Sequence, residues 1–375
     1  MKICYFGTYR KNYSRNKTNV SGLQLNEVDV IECHAKKIEL QLLSKFLTVM
    51  LFLIYPIELV FTNFFLFFFG IKKLYRKEIK IILVGFPGLL DLPIAFLLSK
   101  LTGSKLIFDM IISTYDTIVI DRKLLKKSSP LAKLLFSFEK LVIKLPDTIL
   151  VDTIEDQKYF SKLFEIKESK FRVLLIGSDY NEYESEKTPD DGKFYVVYAG
   201  EYIPLHGIEH IIRCAKSCED VKDVQFVLIG KGQLLKFAKD LADSYKLTNI
   251  KFTGWLSEKE LANELHKASV ILGIFQNNAK AFRVIPNKVV QGLALSKPVV
   301  TADTPAIRQL FTNRENILLC EAGSAESLKN SLLELKRDKN LRDSIAKNGH
   351  ILFQEHLSPI KIGNSLKQIC IETTG

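Results

Sequence analysis

Cysteine is scarce, with six in 375 residues, at Cys4, Cys33, Cys214, Cys218, Cys320 and Cys370. They are scattered, which excludes a disulfide scaffold and makes a reducing cytoplasm the expected setting. Cys214 and Cys218 stand one helical turn apart, but no second Cys/His pair follows at zinc-like spacing. They read as a buried stripe, and no metal is expected. Tryptophan occurs once, at Trp255. No arginine-rich helix, aromatic stacking series or zinc pattern supports a nucleic-acid binder, so no nucleic acid is expected as a partner. The opening MKICYFG reads as a strand, and no signal-peptide apolar region follows it. The sequons Asn16-Lys17-Thr18 and Asn19-Val20-Ser21 carry no meaning in a cytoplasm.

What is present is ordinary for a globular chain: 47% hydrophobic and 25% charged residues. The length suggests two domains. A net charge of +11 attracts phosphates, whether of nucleotides, nucleic acid or anionic lipid, without choosing among them.

Strands alternate with helices. Lys2–Gly7, Val28–Cys33, Ile79–Val84, Lys105–Phe108 and Thr148–Val151 read as strands, with helical spacing over Leu92–Leu101 and Leu131–Leu145. A loop, Thr8–Lys17, follows the first strand and carries Arg10, Lys11, Arg15 and Lys17. The pattern breaks at Ser178–Gly192, a polar, acidic stretch holding Pro189, which reads as a linker. It resumes with strands at Phe194–Ala199, Gln225–Ile229, Ile250–Thr253, Val270–Ile274 and Pro298–Thr301, and a helix from His206 to Ser217. This predicts two α/β, doubly wound parallel halves. The expected boundaries are 1–178, a linker at 179–192, 193–358, and a terminal helix at 359–375 crossing back to the first half.

Phe46–Ile71 is apolar and long enough to span a bilayer, but it holds Pro56, Glu58, Thr62 and Asn63. It leads into Lys72, Lys73, Arg76 and Lys77, two i,i+4 pairs that put four cations on one helical face. That pattern predicts peripheral attachment to an anionic membrane surface, with a true span of 46–71 left open. Lys123, Lys126, Lys127 and Lys133 form a second basic stretch, read as a solvated face.

Three pieces of the second half carry candidate chemistry. In VVYAGEYIPLHGIEHII a strand ends at Gly200, and His206 and Gly207 precede a helix whose N-terminus suits a phosphate. Gly230-Lys231-Gly232 follows the next strand and lets backbone approach a ligand. In AFRVIPNKVVQGLALSKPVV, Pro286 stands at a helix start. Lys288 and Gln291 share a face there, and with Arg283 and Asn287 they could hold a diphosphate and a sugar hydroxyl. In the first half, Asp109 follows a strand at a sheet edge where α/β ligands bind, with Tyr115 and Asp116 close behind. Asp109 is the candidate base for an acceptor hydroxyl. Gly7, Thr8, Arg10 and Arg15 are the remaining acceptor-side candidates.

The series GEYIPLHG, LIGKG, FTGWLSEKEL and IPNKVVQGLALSKPVV resembles the donor domain of glycosyltransferase family 4, over about Phe194–Glu321. GTYR, LVGFPGLLDLPIA, FDMIISTYDT and VDT extend the resemblance more weakly into the first half. The resemblance implies a GT-B fold, two Rossmann-like domains facing across a cleft that closes over the donor. It implies a retaining, metal-independent transferase using a nucleoside-diphosphate sugar as co-substrate. Gly200 matches the phosphate-loop glycine, His206 stands where lysine is usual, and Trp255 and Leu256 match the base-flanking stretch. Arg283 and Gln291 stand where the family has the two glutamates of its E-x7-E motif, and Glu201 replaces a common arginine.

The function these features predict is sugar transfer to a hydroxyl of a lipid-linked or membrane-bound acceptor. Cell-envelope glycan or polysaccharide assembly, on the cytoplasmic membrane face, is the expected setting. The alternative is a non-catalytic sugar-nucleotide-binding or scaffold subunit, motivated by Glu201, Arg283 and Gln291.

Overall fold

The computed structural model describes residues 1–35, 66–68, 70–71, 78–179 and 191–375. The apolar run at 46–71, except its last turns, the four cations at 72–77 and the linker at 180–190 therefore lie outside the described residues. Among the described residues no helix is long and apolar enough to cross a membrane.

The chain divides into two compact units. One comprises Met1–Val151, Gln157–Leu174 and Ile362–Gly375; the other comprises Asp152–Asp156 and Leu175–Lys361. Each is built on a six-stranded parallel sheet. The first holds β1 (Lys2–Gly7), β2 (Asp29–His34), β3 (Ile81–Val84), β4 (Lys105–Asp109), β5 (Thr148–Val151) and β6 (Phe171–Val173), in the order β2-β1-β3-β4-β5-β6. The second holds β7 (Phe194–Ala199), β8 (Val224–Ile229), β9 (Ile250–Gly254), β10 (Val270–Leu272), β11 (Val299–Ala302) and β12 (Leu318–Cys320), in the order β12-β11-β10-β7-β8-β9. Strands such as Ile81–Val84 and Val299–Ala302 are buried throughout. Helices on both faces of a parallel sheet require such continuous apolar runs. In each sheet the order reverses beside the first strand of the unit, between β1 and β3 and between β7 and β10. Such switch points, at the carboxyl ends of the strands, are where open α/β sheets receive ligands.

Three-residue edge strands escape a sequence reading, because Phe171–Val173 and Leu318–Cys320 are too short to show any period. The helix expected from His206 starts at Ile208, with Pro204–His206 forming a separate single turn. Pro286 precedes its helix, Asn287–Ala294, rather than opening it. Cys214 and Cys218 lie in the apolar core of the second unit.

The largest correction concerns Arg15 and Asp109. The loop after β1 ends earlier than expected, and a helix, Ser14–Leu25, carries Arg15 inward. Arg15 and Asp109 are 1% and 0% exposed. Arg15 Nε lies 2.9 Å from both carboxylate oxygens and Nη2 lies 2.8 Å from Oδ1. Asn19 adds a 3.0 Å hydrogen bond to Oδ2, and Arg15 Nη1 donates to the Leu174 carbonyl. Both residues are therefore structural. Arg15 is not available to an anionic acceptor, and Asp109 accepts hydrogen bonds inside the fold rather than a substrate proton. The helix buries Arg15, Asn16, Thr18 and Asn19 where apolar residues would be usual. Its register is thus set by this polar network.

Removing one partner of a buried ion pair leaves the other charge uncompensated, at a cost of about 3–5 kcal/mol. Asp109→Ala should lower the unfolding free energy by that amount in urea titrations, and an Arg15→Met/Asp109→Leu double variant should recover most of it. A single-variant loss below ~1 kcal/mol would contradict this role.

Candidate functional site

The second unit gathers a site at the carboxyl end of β7, at its switch point. After β7 the backbone turns at Gly200, and two loops stack backbone on backbone: Gly200 N–H donates to Ile229 O, and Tyr202 N–H to Lys231 O. Glycine is required at Gly230, where an added Cβ would lie 1.9 Å from Gly200 O. It is required again at Gly207, a left-handed residue (φ 63°) whose Cβ would lie 2.6 Å from the Gln276 amide nitrogen. Gly207 thereby opens the helix Ile208–Ser217 hard against the chain that follows β10.

Lys288 enters from the first turn of the helix Asn287–Ala294 and is 6% exposed. Its Nζ lies 3.5 Å from His206 Nε2 and 5.0 Å from the centroid of the Tyr198 ring. It also packs where Gly200 has no side chain, since a Cβ there would meet Nζ at 3.0 Å. The His206 ring is oriented from its other side. Nδ1 lies 2.5 Å from the Glu201 carbonyl, which also accepts from Tyr198 Oη at 2.8 Å. Donation from Nδ1 to that carbonyl leaves Nε2, the acceptor nitrogen, directed at Lys288. Burial pulls Lys288 down from its ordinary 10.5 to about 7, against a smaller opposing effect of the Glu201 charge. The site thus holds a cation that the fold itself solvates poorly.

Two helix N-termini meet this cation. Four helices of the same unit are capped by side-chain oxygens, from Ser257, Thr304, Ser324 and Asp338. The helices beginning at Ile208, Asn287 and Leu235 have no side-chain cap, and the first two of these start beside His206 and at Lys288. The first N–H groups of those two carry the positive end of the helix dipole toward the same place. A buried lysine, oriented by an imidazole, and two helix starts without side-chain caps could together hold a doubly charged anion.

Sequence reasoning placed Gly200, His206, Gly207 and Lys288 together, and the structure does so too. Gly230 and Lys231 flank them, with Lys231 Nζ 4.8 Å from the Trp255 ring centroid. Trp255 is 62% exposed, with a face open to an aromatic ligand. Leu256, Asn287 and Gln291 are part-buried. Arg283 is not part of the group. Its guanidinium turns to Asp156, with Nη1 2.5 Å from Oδ1, and its Nε donates to Ala279 O. The expected Arg283–Lys288 cation pair is corrected accordingly. Tyr198, which orients His206 and underlies Lys288, had no signal beyond being one apolar position of a strand.

In the first unit, Thr8 donates to Asp91 from both its backbone N–H (2.7 Å to Oδ2) and its hydroxyl. This holds the Gly7–Thr8 turn at the end of β1. Arg10 is exposed beside it. Tyr115 and Asp116 are 6% and 1% exposed, and Asp116 accepts from Tyr159 Oη. They are packed into the fold rather than presented to an acceptor.

Comparison with known proteins follows this division. Residues 179–351 match the family model described as Glycosyl transferases group 1. An uncharacterised glycosyltransferase of Methanocaldococcus jannaschii is 27% identical over 181 residues, 48% of each chain. The chitobiosyldiphosphodolichol beta-mannosyltransferase of Candida albicans is 25% identical over 217 residues, 53% of this chain and 47% of that one. The chain spans about half the length of these curated relatives. Among solved structures, Anabaena HepE in complex with UDP and glucose aligns over 99% of this chain and 100% of its own, at TM-score 0.70 and 13% identity. Sucrose-phosphate synthase from Thermosynechococcus elongatus aligns over 99% and 98%, also at TM-score 0.70 and 13% identity. The fold is GT-B, with two Rossmann-like domains.

The buried Lys288 makes a stability prediction with a definite sign. Its folded-state pKa lies below its ordinary value, so the full burial cost is borne below pH 7. That cost falls as pH rises from about 7 toward 10.5, where only the unfolded chain keeps the proton. Lys288→Met should therefore stabilise the ligand-free protein by about 1–4 kcal/mol. The gain should be larger at pH 6 than at pH 9 in denaturant titrations. A destabilised variant, or a gain independent of pH, would argue against a buried charge.

Proposed function

We propose that the protein is a glycosyl transferase of the family 4 type. It would transfer a sugar from a nucleoside-diphosphate donor to a hydroxyl, with retention of configuration. The observation that carries this reading is the Lys288–His206 pair between two uncapped helix starts, inside the segment that matches the group 1 model. In the reaction the sugar–phosphate bond breaks and negative charge grows on the departing diphosphate. Lys288 Nζ, oriented by His206, and the N–H groups beyond Gly207 would stabilise that charge without a metal ion. Trp255 would stack on the base, with Lys231 beside it. Gln291 would accept from a ribose hydroxyl through its amide oxygen. HepE binding UDP and glucose supports a nucleotide-sugar donor here.

The acceptor in this reading is lipid-linked or membrane-bound, in cell-envelope glycan or polysaccharide assembly at the cytoplasmic membrane face. The β-mannosyltransferase relative, whose name specifies a dolichol-linked diphosphate, supports that class. Arg10, exposed beside the Gly7–Thr8 turn, is the candidate contact to an anionic acceptor. A second reading, a non-catalytic sugar-nucleotide-binding or scaffold subunit, is favoured by the engagement of Arg283 with Asp156 and by the acid at Glu201.

Titration of UDP, GDP, CDP, ADP and dTDP against Trp255 fluorescence, without metal, tests the donor site. One diphosphate should bind selectively. Lys288→Ala should weaken it about 10- to 100-fold, the worth of a charged hydrogen bond. No binding by any of the five would remove the donor-site assignment.

Because the anion needs the protonated lysine, affinity should fall about tenfold per pH unit above pH 7. Affinity that is flat from pH 6 to 9 would contradict this coupling. Binding without slow hydrolysis of any sugar nucleotide, or transfer to any acceptor, would select the scaffold reading.

A further inference from the structure

The stretch from Met110 to Leu145 contains seven basic residues, Arg122, Lys123, Lys126, Lys127, Lys133, Lys140 and Lys144, and three acids, Asp116, Asp121 and Glu139. The structure sorts them by direction. Asp116, Asp121 and Glu139 are 1%, 8% and 1% exposed. Glu139 is held by the backbone N–H groups of Thr114 and Tyr115 at 2.9 and 2.7 Å, and Asp116 by Tyr159 Oη at 3.0 Å. Lys123, Lys126, Lys127, Lys133 and Lys144 face outward. The outer surface of this stretch therefore carries positive charge and no outward acid of its own; Lys140 is balanced by Glu165 at 2.8 Å, while Lys123, Lys126, Lys127 and Lys133 have no salt-bridge partner among the described residues.

The same surface is apolar. Six of the seventeen exposed large hydrophobic residues among the described residues fall here: Ile112, Ile120, Leu124, Leu131, Leu134 and Leu141. A single exposed leucine needs no explanation, but a cluster does. Leu131, Leu134 and Leu141 lie on the helix Pro130–Val142 at i, i+3 and i+10, which puts them on one side of it. Its opposite side is the one that packs: Ala132, Leu135 and Phe136 join the cluster around Tyr115, and Val142 and Ile143 enter the core of the sheet. The helix is thus apolar on both sides, with Lys133 on the outer one. Elsewhere in the chain, the helix Ala325–Arg337 shows the usual surface, with Glu326, Lys329, Glu334 and Lys336 intermixed.

We propose that the surface formed by Leu124, Leu131, Leu134 and Leu141, with Lys123, Lys126, Lys127 and Lys133, docks on an anionic lipid bilayer. Outward leucines would enter the headgroup boundary and the lysines would meet lipid phosphates, the physics of an interfacial helix. Charge complementarity decides the occupant. A second copy of this face would bring like charges together, and a membrane of negative surface potential would not. These residues lie apart in the sequence from the run at 46–77. The proposal rests on the reading above only in that a membrane-bound acceptor would give docking a purpose.

The test is co-sedimentation of the full chain with phosphatidylcholine vesicles, with and without about one-third phosphatidylglycerol, and in rising salt. The chain should bind the anionic vesicles at least about tenfold better and release with salt. A Leu134→Glu/Leu141→Glu variant and a Lys123→Glu/Lys126→Glu/Lys127→Glu variant should each lose about tenfold or more in vesicle binding. Both should retain the parent's circular dichroism, since all five side chains are exposed. Equal vesicle binding by parent and variants would overturn the proposal. So would no binding by the parent, or a parent dimer that the leucine variant abolishes. The assay uses no nucleotide, so its failure is separate from a failure of diphosphate binding.

Discussion

A lysine buried with no ion-pair partner at hydrogen-bonding distance among the described residues dominates the second unit. Lys288 Nζ is held over the Tyr198 ring and beside His206 Nε2, and the space it occupies exists because Gly200 has no side chain. A fold tolerates such a lysine only by letting its proton go or by waiting for an anion. The surrounding choices are consistent with waiting. Gly230 allows the loops after β7 and β8 to touch, Gly207 brings a helix start to the same point, and neither of the two helix starts there is capped by its own side chain. In the proposed function, local stability is given up for an electrostatic arrangement that a bound diphosphate would complete.

The two buried arginines among the described residues have the opposite design. Arg15 with Asp109 in the first unit, and Arg283 with Asp156 in the second, are each matched by a carboxylate at 2.5–2.8 Å. Matched pairs fix register and leave nothing over for chemistry. Asp156 belongs to a short segment, Asp152–Asp156, that groups with the second unit although it lies before that unit's main stretch in the chain. The Arg283 pair, the Thr153 hydroxyl to the Arg283 carbonyl, and the Ile154 amide to the Gln309 side chain tie this segment in place.

Much of this was legible from the residues. β7, Phe194–Ala199, was bounded correctly because an apolar run ended at a glycine, and strand–loop–helix order linked Gly200, His206 and Gly207, while Lys288 was joined to them only by the family resemblance. Partner choice over long separations was not legible. Nothing in the pattern pairs Arg15 with a residue 94 positions away, or Arg283 with one 127 positions away. An exposed arginine and a buried one look alike in a polar stretch. The direction of side chains was hidden for the same reason: from Met110 to Leu145 three acids are interspersed among seven bases, and only packing turns the acids inward.

The most direct test of the account is a pH titration of Lys288 itself, by carbon–nitrogen NMR of the labelled ε-methylene, with and without the diphosphate that binds. The account predicts a midpoint near 7 in the free protein, shifted well upward when the diphosphate is bound. A midpoint near the ordinary lysine value of 10.5 in the free protein, or one that the diphosphate leaves unmoved, would contradict it.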